Sequence, residues 1–109
     1  MTKDKLLPKH ILEQLPKLLE TEKQENPLVI VKFFYPDFSW TWYAIEFDGR
    51  DVFYGLVDGF EVEFGTFSLK ELMENRGQLG FEIERDFYFK PTPVNELYQK
   101  LTEARPTRF

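Results

Sequence analysis

The chain contains no cysteine, a single histidine (His10) and only two serines, Ser39 and Ser68. The missing thiols exclude disulfides, thiolate metal sites and cysteine nucleophiles together, and they fit a reducing compartment. Neither serine sits in a nucleophile elbow, and Ser68 is placed to start a helix, so acyl transfer has no nucleophile to use. The glycines at 49, 55, 59, 65, 77 and 80 are scattered among turns instead of grouped ahead of a helix. That spacing excludes the common phosphate-binding loops. Long apolar runs are missing too: the first fifteen residues hold no signal-peptide core, and nothing approaches the ~20 residues needed to span a bilayer. A soluble protein of the cytoplasm is expected. His10, with no second His and no Cys, reads as a surface or boundary residue rather than a metal ligand or base.

What the chain has in abundance is aromatic surface: 12 Phe, 5 Tyr and 2 Trp in 109 residues. Such side chains bury large areas, so even a short chain can build a sizeable core. One domain over residues 1–109 is expected, with a core from about residue 6 to residue 103 and a flexible tail at 104–109. The charge is unevenly spread. Met1–Pro27 and Ser68–Phe109 are each neutral, whereas Leu28–Phe67 carries seven acids against Lys32 and Arg50 and so accounts for the whole −5. A phosphate-binding surface there is disfavoured, because nucleic-acid affinity depends on basic side chains displacing counterions. The plain reading of these acids is a solvated sheet face.

Ile11, Leu12, Leu15, Leu18 and Leu19 recur at helical spacing and predict a helix over 8–22, kinked near Leu15 or split into two short helices by Pro16. Leu28–Tyr35 is apolar on both alternating faces and predicts a strand buried on two sides, central in a sheet. Ser39–Phe47 alternates, with Trp40, Trp42, Ala44 and Glu46 on one face. Asp48-Gly49 is a hairpin signal for a turn with positive φ at both central residues. A strand over 51–57 follows, then a second hairpin at Asp58-Gly59 and a strand over 60–64, with Phe60, Val62 and Phe64 inward and Glu61 and Glu63 outward.

Ser68-Leu69-Lys70-Glu71 fits a capping box ahead of a short helix. Gly77 is placed for the left-handed residue ending it, and Gly80 for a flexible connection. A last strand is predicted over 81–89, with Ile83, Arg85, Phe87 and Phe89 on one side. Thr92-Pro93 opens a terminal helix striped by Val94, Leu97, Tyr98 and Leu101. The fold class is α+β: a mostly antiparallel meander of four or five strands, with N-terminal, middle and C-terminal helices covering one face.

Carboxylates are the plentiful chemical groups. Glu46, Asp48, Asp51 and Asp58 near the hairpin ends can hold a hard cation or perform acid and base work, although no spacing matches a calcium loop. Asp48 and Asp58 are explained as turn formers, so no catalytic residue, metal ligand or cofactor is assigned. Trp40, Trp42, Tyr43, Phe53 and Tyr54 are read as core, with Trp40 and Trp42 able to reach the sheet edge as an interaction anchor. Arg85 among aromatics calls for a partner such as Glu46 or for stacking on a ring.

The strings SWTWYA, EFDG, FYGLVDG, EVEFGTFSLKEL, RGQLG and IERDFYFKPTP, taken together, resemble a bacterial domain-of-unknown-function family, number 2958 in that series. The resemblance runs from about Leu6 to Leu97 without a clear departure. It implies a bacterial cytoplasm and an accessory gene of a plasmid, phage or other mobile element, but it carries over no activity and no site residues. In that setting the expected function is a non-enzymatic protein-binding module that inhibits or modulates a host nucleic-acid-processing enzyme, of anti-CRISPR or anti-restriction type. Asp48, Asp51, Asp58, Glu61 and Glu63 would supply the electrostatics toward a nuclease with a basic groove, with Trp40 or Trp42 as anchors. The alternatives are a nucleic-acid-binding accessory domain using the aromatics with Lys70, Arg76, Arg85 and Lys90, and a carboxylate- or metal-dependent hydrolase.

Overall fold

A computed structural model describes residues 2–104. The alternating stretch from 41 to 68 forms three long strands, β3 (Thr41–Phe47), β4 (Val52–Asp58) and β5 (Val62–Ser68), each antiparallel to the next. The apolar run before them is split. Leu28–Val29 (β1) leaves the main sheet, and Val31–Phe34 (β2) pairs with β3. On its other side β2 meets the two-residue β6 (Glu84–Arg85), so the five-stranded order is β5-β4-β3-β2-β6 with β3 at the centre. β1 pairs instead with Thr92–Pro93 (β7), matching Leu28 with Pro93 and Val29 with Thr92. The architecture is α+β, and the sheet is open with β5 at one edge.

Helices cover both faces, not one. The residues of β2–β5 alternate between two clusters. Val31, Phe33, Trp42, Ala44 and Phe53 pack under α1 (Lys3–Leu6) and α3 (Leu69–Glu74), through Leu6, Leu7, Leu69 and Leu72. Tyr43, Ile45 and Leu56 pack under α4 (Val94–Glu103), through Val94, Leu97 and Leu101. Phe33 and Phe53 are wholly buried with ring centroids 5.5 Å apart, and each such side chain contributes about 1.5–3 kcal/mol through burial. Among the described residues no helix is long and apolar enough to cross a membrane.

The predicted 8–22 helix is a single turn, α2 (Lys9–Leu12). Beyond Leu15 the backbone is captured by the end of β3: Phe47 N–H donates to the Pro16 carbonyl at 2.9 Å, and Glu46 accepts from the amides of Leu19 and Thr21. Of the leucine stripe, Ile11 and Leu15 pack on the first cluster while Leu12 and Leu19 are exposed; Leu6 and Leu7, ahead of the predicted helix, are the buried pair. His10 is exposed.

Four further expectations are corrected. Phe60 precedes β5 and is 78% exposed, and Phe64 is half out, because β5 is an edge strand with α4 over only part of it. The 81–89 strand shrinks to Glu84–Arg85, since Phe87 and Tyr88 turn out to solvent while Ile83 enters the first cluster and Phe89 the second. Gly80, not Gly77, takes the left-handed conformation (φ +86); Gly77 makes room for the Asp37 carboxylate, which a Cβ there would strike. Thr92 does not cap α4: its hydroxyl donates to the Lys90 carbonyl. The first helical amides are met from a distance, Val94 N–H by the Pro27 carbonyl and Asn95 N–H by Asn26 Oδ1, each at 2.9 Å. Of the flexible tail expected at 104–109, Ala104 caps α4 with its N–H on the Lys100 carbonyl at 3.1 Å, and 105–109 lie outside the described residues.

Candidate functional site

The acidic residues divide between the two ends of β4, which its seven residues hold roughly 20 Å apart. At the β3–β4 end the connection is four residues long, and of the predicted pair of positive-φ residues only Gly49 has one. Asp48 Oδ1 accepts the N–H groups of Arg50, Asp51 and Val52 at 2.8, 2.8 and 3.0 Å. Those amides, that of Arg50 foremost, hold the carboxyl below its usual 3.8. Asp51 turns to the start of α3, where Oδ1 accepts Lys70 N–H at 2.8 Å and Oδ2 accepts the Ser68 hydroxyl at 2.7 Å. Ser68 Oγ in turn accepts Glu71 N–H at 3.2 Å, so the serine half of the expected capping box forms, and the next free helical amide, that of Lys70, is met by a carboxylate from the neighbouring hairpin. Both aspartates are committed to holding local structure.

Glu46, grouped with these acids from sequence, is 3% exposed and belongs to neither end. A bulge between Ala44 and Glu46 inserts Ile45 into β3. It shifts the alternation, so Phe47 joins the face of Trp42 and Ala44 and Glu46 turns to the other side. Its carboxylate accepts Leu19 N–H at Oε1 and both the N–H and the hydroxyl of Thr21 at Oε2. Arg85, for which Glu46 was a possible partner, instead donates to the Lys5 carbonyl at 3.1 Å and lies 4.6 Å from the Phe87 ring centre. Among the described residues no group of three or more His, Cys, Asp or Glu can hold a metal ion.

At the opposite end the sequence-predicted residues do come together. Trp40, Gly59, Phe60, Glu61 and Glu63 line a cleft of about 270 Å³, with Asp58 at the end of the adjoining strand. Trp40 lies so close over Gly59 that a Cβ there would sit 2.6 Å from its ring. Phe60 stands edge-on to Trp40, centroids 5.2 Å apart and planes at 85°. Glu61 and Glu63 are exposed beside this pair. Trp42 is buried beneath, 6.1 Å from Trp40 and 5.4 Å from Tyr35, and serves as the cleft's support. Sequence reasoning missed Phe60 by counting it as the first inward residue of β5. The available signal was its place directly after Asp58-Gly59, where alternation has not begun.

The basic residues are dispersed by comparison. Arg76 pairs with Glu82 at 3.4 Å and also donates to the Met73 and Asn75 carbonyls; Lys70 is exposed on α3, and Lys90 in the loop before β7.

The arrangement is that of a small α+β domain with an acidic, aromatic cleft at the corner of an open sheet edge. The chain belongs to a family described as protein of unknown function (DUF2958), whose profile matches residues 6–106. No curated protein and no solved structure matched the chain.

Proposed function

We propose that this chain is a non-enzymatic protein-binding module of a bacterial mobile genetic element, acting in the cytoplasm, where it inhibits or modulates a host nucleic-acid-processing enzyme of the CRISPR or restriction type. The observation that carries the reading is Phe60, 78% exposed and braced on Trp40, with Glu61 and Glu63 beside it at the head of edge strand β5. An exposed aromatic with a rigid support is the usual anchor of a protein interface. The adjoining edge offers unpaired backbone groups to an extended partner segment, while the glutamates discourage pairing with a second copy of this acidic strand. They also attract a basic groove of the kind that otherwise receives phosphates. Asp48 and Asp51 leave this surface, and Asp58 faces the second cluster, where its charge acts on Tyr43; Glu61, Glu63 and Trp40 stay in it.

Affinity capture from a bacterial host lysate tests the reading, with the wild-type chain and the Glu61→Lys/Glu63→Lys variant as parallel baits and mass spectrometry as readout. The wild type should retain a basic nuclease or helicase that is released at about 0.5 M salt, where the screening length falls to roughly 4 Å. The folded variant should not. Equal retention by both baits would remove the acidic cleft from the interface. Retarded DNA or RNA probes in a low-salt gel shift would favour the nucleic-acid-binding alternative.

A further inference from the structure

An open-rimmed cavity on the second face of the sheet lies away from the cleft, beneath the segment 19–27 and beside the start of α4. Its volume is about 400 Å³, within the range of about 300–1,000 Å³ typical of small-ligand pockets. Ile45, Pro27 and Val94 supply an apolar floor, and Tyr54 and Phe64 an aromatic wall. That wall is rigid. Phe64 stacks on Tyr54 at 6.4 Å and on Tyr98 at 5.8 Å, both within 18° of parallel.

Charge in the enclosure has one sign. Glu22, Glu25 and Glu46 line it, and none of its lining residues is Lys or Arg, Lys23 of the covering segment standing exposed outside the lining. The start of α4 offers about half a positive charge, against three carboxylates, and its first amides are already taken by Pro27 and Asn26. Glu46 is not free to serve as a direct ligand group, because its oxygens hold the Leu19–Thr21 segment. It contributes field and shape. Leu19 is held there at φ +70, the one non-glycine residue in that region among those described. Backbone outliers of this kind collect at ligand clamps.

We propose that this cavity is a binding site for a small organic cation, an ammonium group carried on a short apolar or aromatic body. The body lies on Ile45, Val94 and the Tyr54–Phe64 wall, and the ammonium faces Glu22 and Glu25 at the open rim. The site is independent of the Phe60 cleft, being formed by different residues on the opposite face of the sheet.

The test is an amide chemical-shift titration of the full chain with phenethylamine as its ammonium salt, set against 3-phenylpropionate and 2-phenylethanol at matched ionic strength. The ammonium should give saturable shifts confined to the neighbourhood of Thr21, Gln24, Ile45, Tyr54, Phe64 and Asn95. It should bind at least about tenfold more tightly than the carboxylate, a difference of about 1.4 kcal/mol, with the neutral alcohol between. Glu22→Gln/Glu25→Gln alters exposed side chains and should weaken the ammonium by about fivefold or more while leaving the spectrum of a folded protein. No saturable shift, shifts centred elsewhere, or a carboxylate that binds as well as the ammonium would overturn the proposal. Unchanged affinity in the double variant would do the same. Glu61→Lys/Glu63→Lys should titrate like the wild type.

Discussion

Thr21 donates twice to one oxygen of Glu46, through its backbone N–H and through its hydroxyl, while Leu19 N–H occupies the other oxygen. A buried carboxylate is tolerated when such donors replace the water it has lost, and it then becomes costly to remove because three donors lose their acceptor together. Glu46→Ala should therefore destabilise the protein by about 2–4 kcal/mol in urea titration. Thr21→Val, which deletes one donor and keeps the acceptor's others, should cost about 1 kcal/mol. Hydrogen exchange of the amides of Leu19 and Thr21 should accelerate first in both variants. A loss below 1 kcal/mol for Glu46→Ala would show that the 19–21 segment is held by something other than this carboxylate.

The β3–β4 hairpin holds the start of α3 through Asp51, whose backbone carbonyl accepts Leu69 N–H at 2.8 Å and whose side chain takes two further donors. Asp51→Ala deprives Lys70 N–H and the Ser68 hydroxyl of their acceptor and should cost about 1–2 kcal/mol, in the range measured for helix caps. Asp51→Asn keeps an oxygen for Lys70 N–H and should recover part of that loss. Helical signal from 69–74 in carbon chemical shifts is the direct check: a native value in Asp51→Ala would mean the Ser68 hydroxyl suffices alone.

Much of this was legible in the sequence, and the limits have physical causes. The alternation through β3, β4 and β5 and the two Asp-Gly turns specified the meander, because a period of two has few other outcomes. Leu28–Tyr35, apolar on both faces, already implied cover on both sides of the sheet, and α1 with α3 on one face and α4 on the other supply it. The bulge at Ile45 had no local signature. One inserted residue moved Glu46 from an expected hairpin-end cluster to a buried position and separated it from Asp48 and Asp51. The N-terminal segment misled because its leucine spacing is helical, whereas between Pro8 and Pro16 the backbone makes only local turn bonds and from Pro16 to Thr21 it is captured by Phe47 N–H and the Glu46 carboxylate at the end of β3. Of the site, the acids were visible as composition. Their division into turn-holding and outward-facing sets depended on long-range partners such as Ser68 and Lys70, whose pairing with Asp51 spans 17 and 19 residues.

Tyr43 makes stability depend on alkaline pH. Burial in the second cluster, reinforced by the charges of Asp58 and Asp86, raises its phenol from 10.0 to about 12. The folded state disfavours the phenolate, so the contribution is fully present below pH 10 and is lost as pH rises from 10 toward 12. At about 1.4 kcal/mol per unit, the loss across that window is about 2–3 kcal/mol. Urea titrations from pH 9 to pH 12 should show it as the difference between wild type and Tyr43→Phe, whose curve should fall less steeply. Parallel curves would mean that Tyr43 ionises in the folded protein as readily as in the unfolded chain.

The anchor in the Phe60 cleft depends on a glycine. A Cβ at position 59 would meet the Trp40 ring at 2.6 Å, so Gly59→Ala must push Trp40 off the backbone it lies on and tilt Phe60, which is braced against it. In a Trp42→Phe background, where Trp40 is the one tryptophan, Gly59→Ala should move the selectively excited tryptophan emission maximum to longer wavelength and broaden the Phe60 ring resonances. The cost in global stability should stay about 1–2 kcal/mol, since the displaced ring lies at the end of the sheet and not in either cluster's centre. Phe60→Ala should cost under about 1 kcal/mol, because most of that ring is already in water. Both changes should reduce partner capture at least as strongly as Glu61→Lys/Glu63→Lys, because an anchor that has lost its geometry forfeits interface contacts that charge alone does not restore. Full capture by Gly59→Ala alongside a shifted emission maximum would place the partner's anchor elsewhere on the β5 edge.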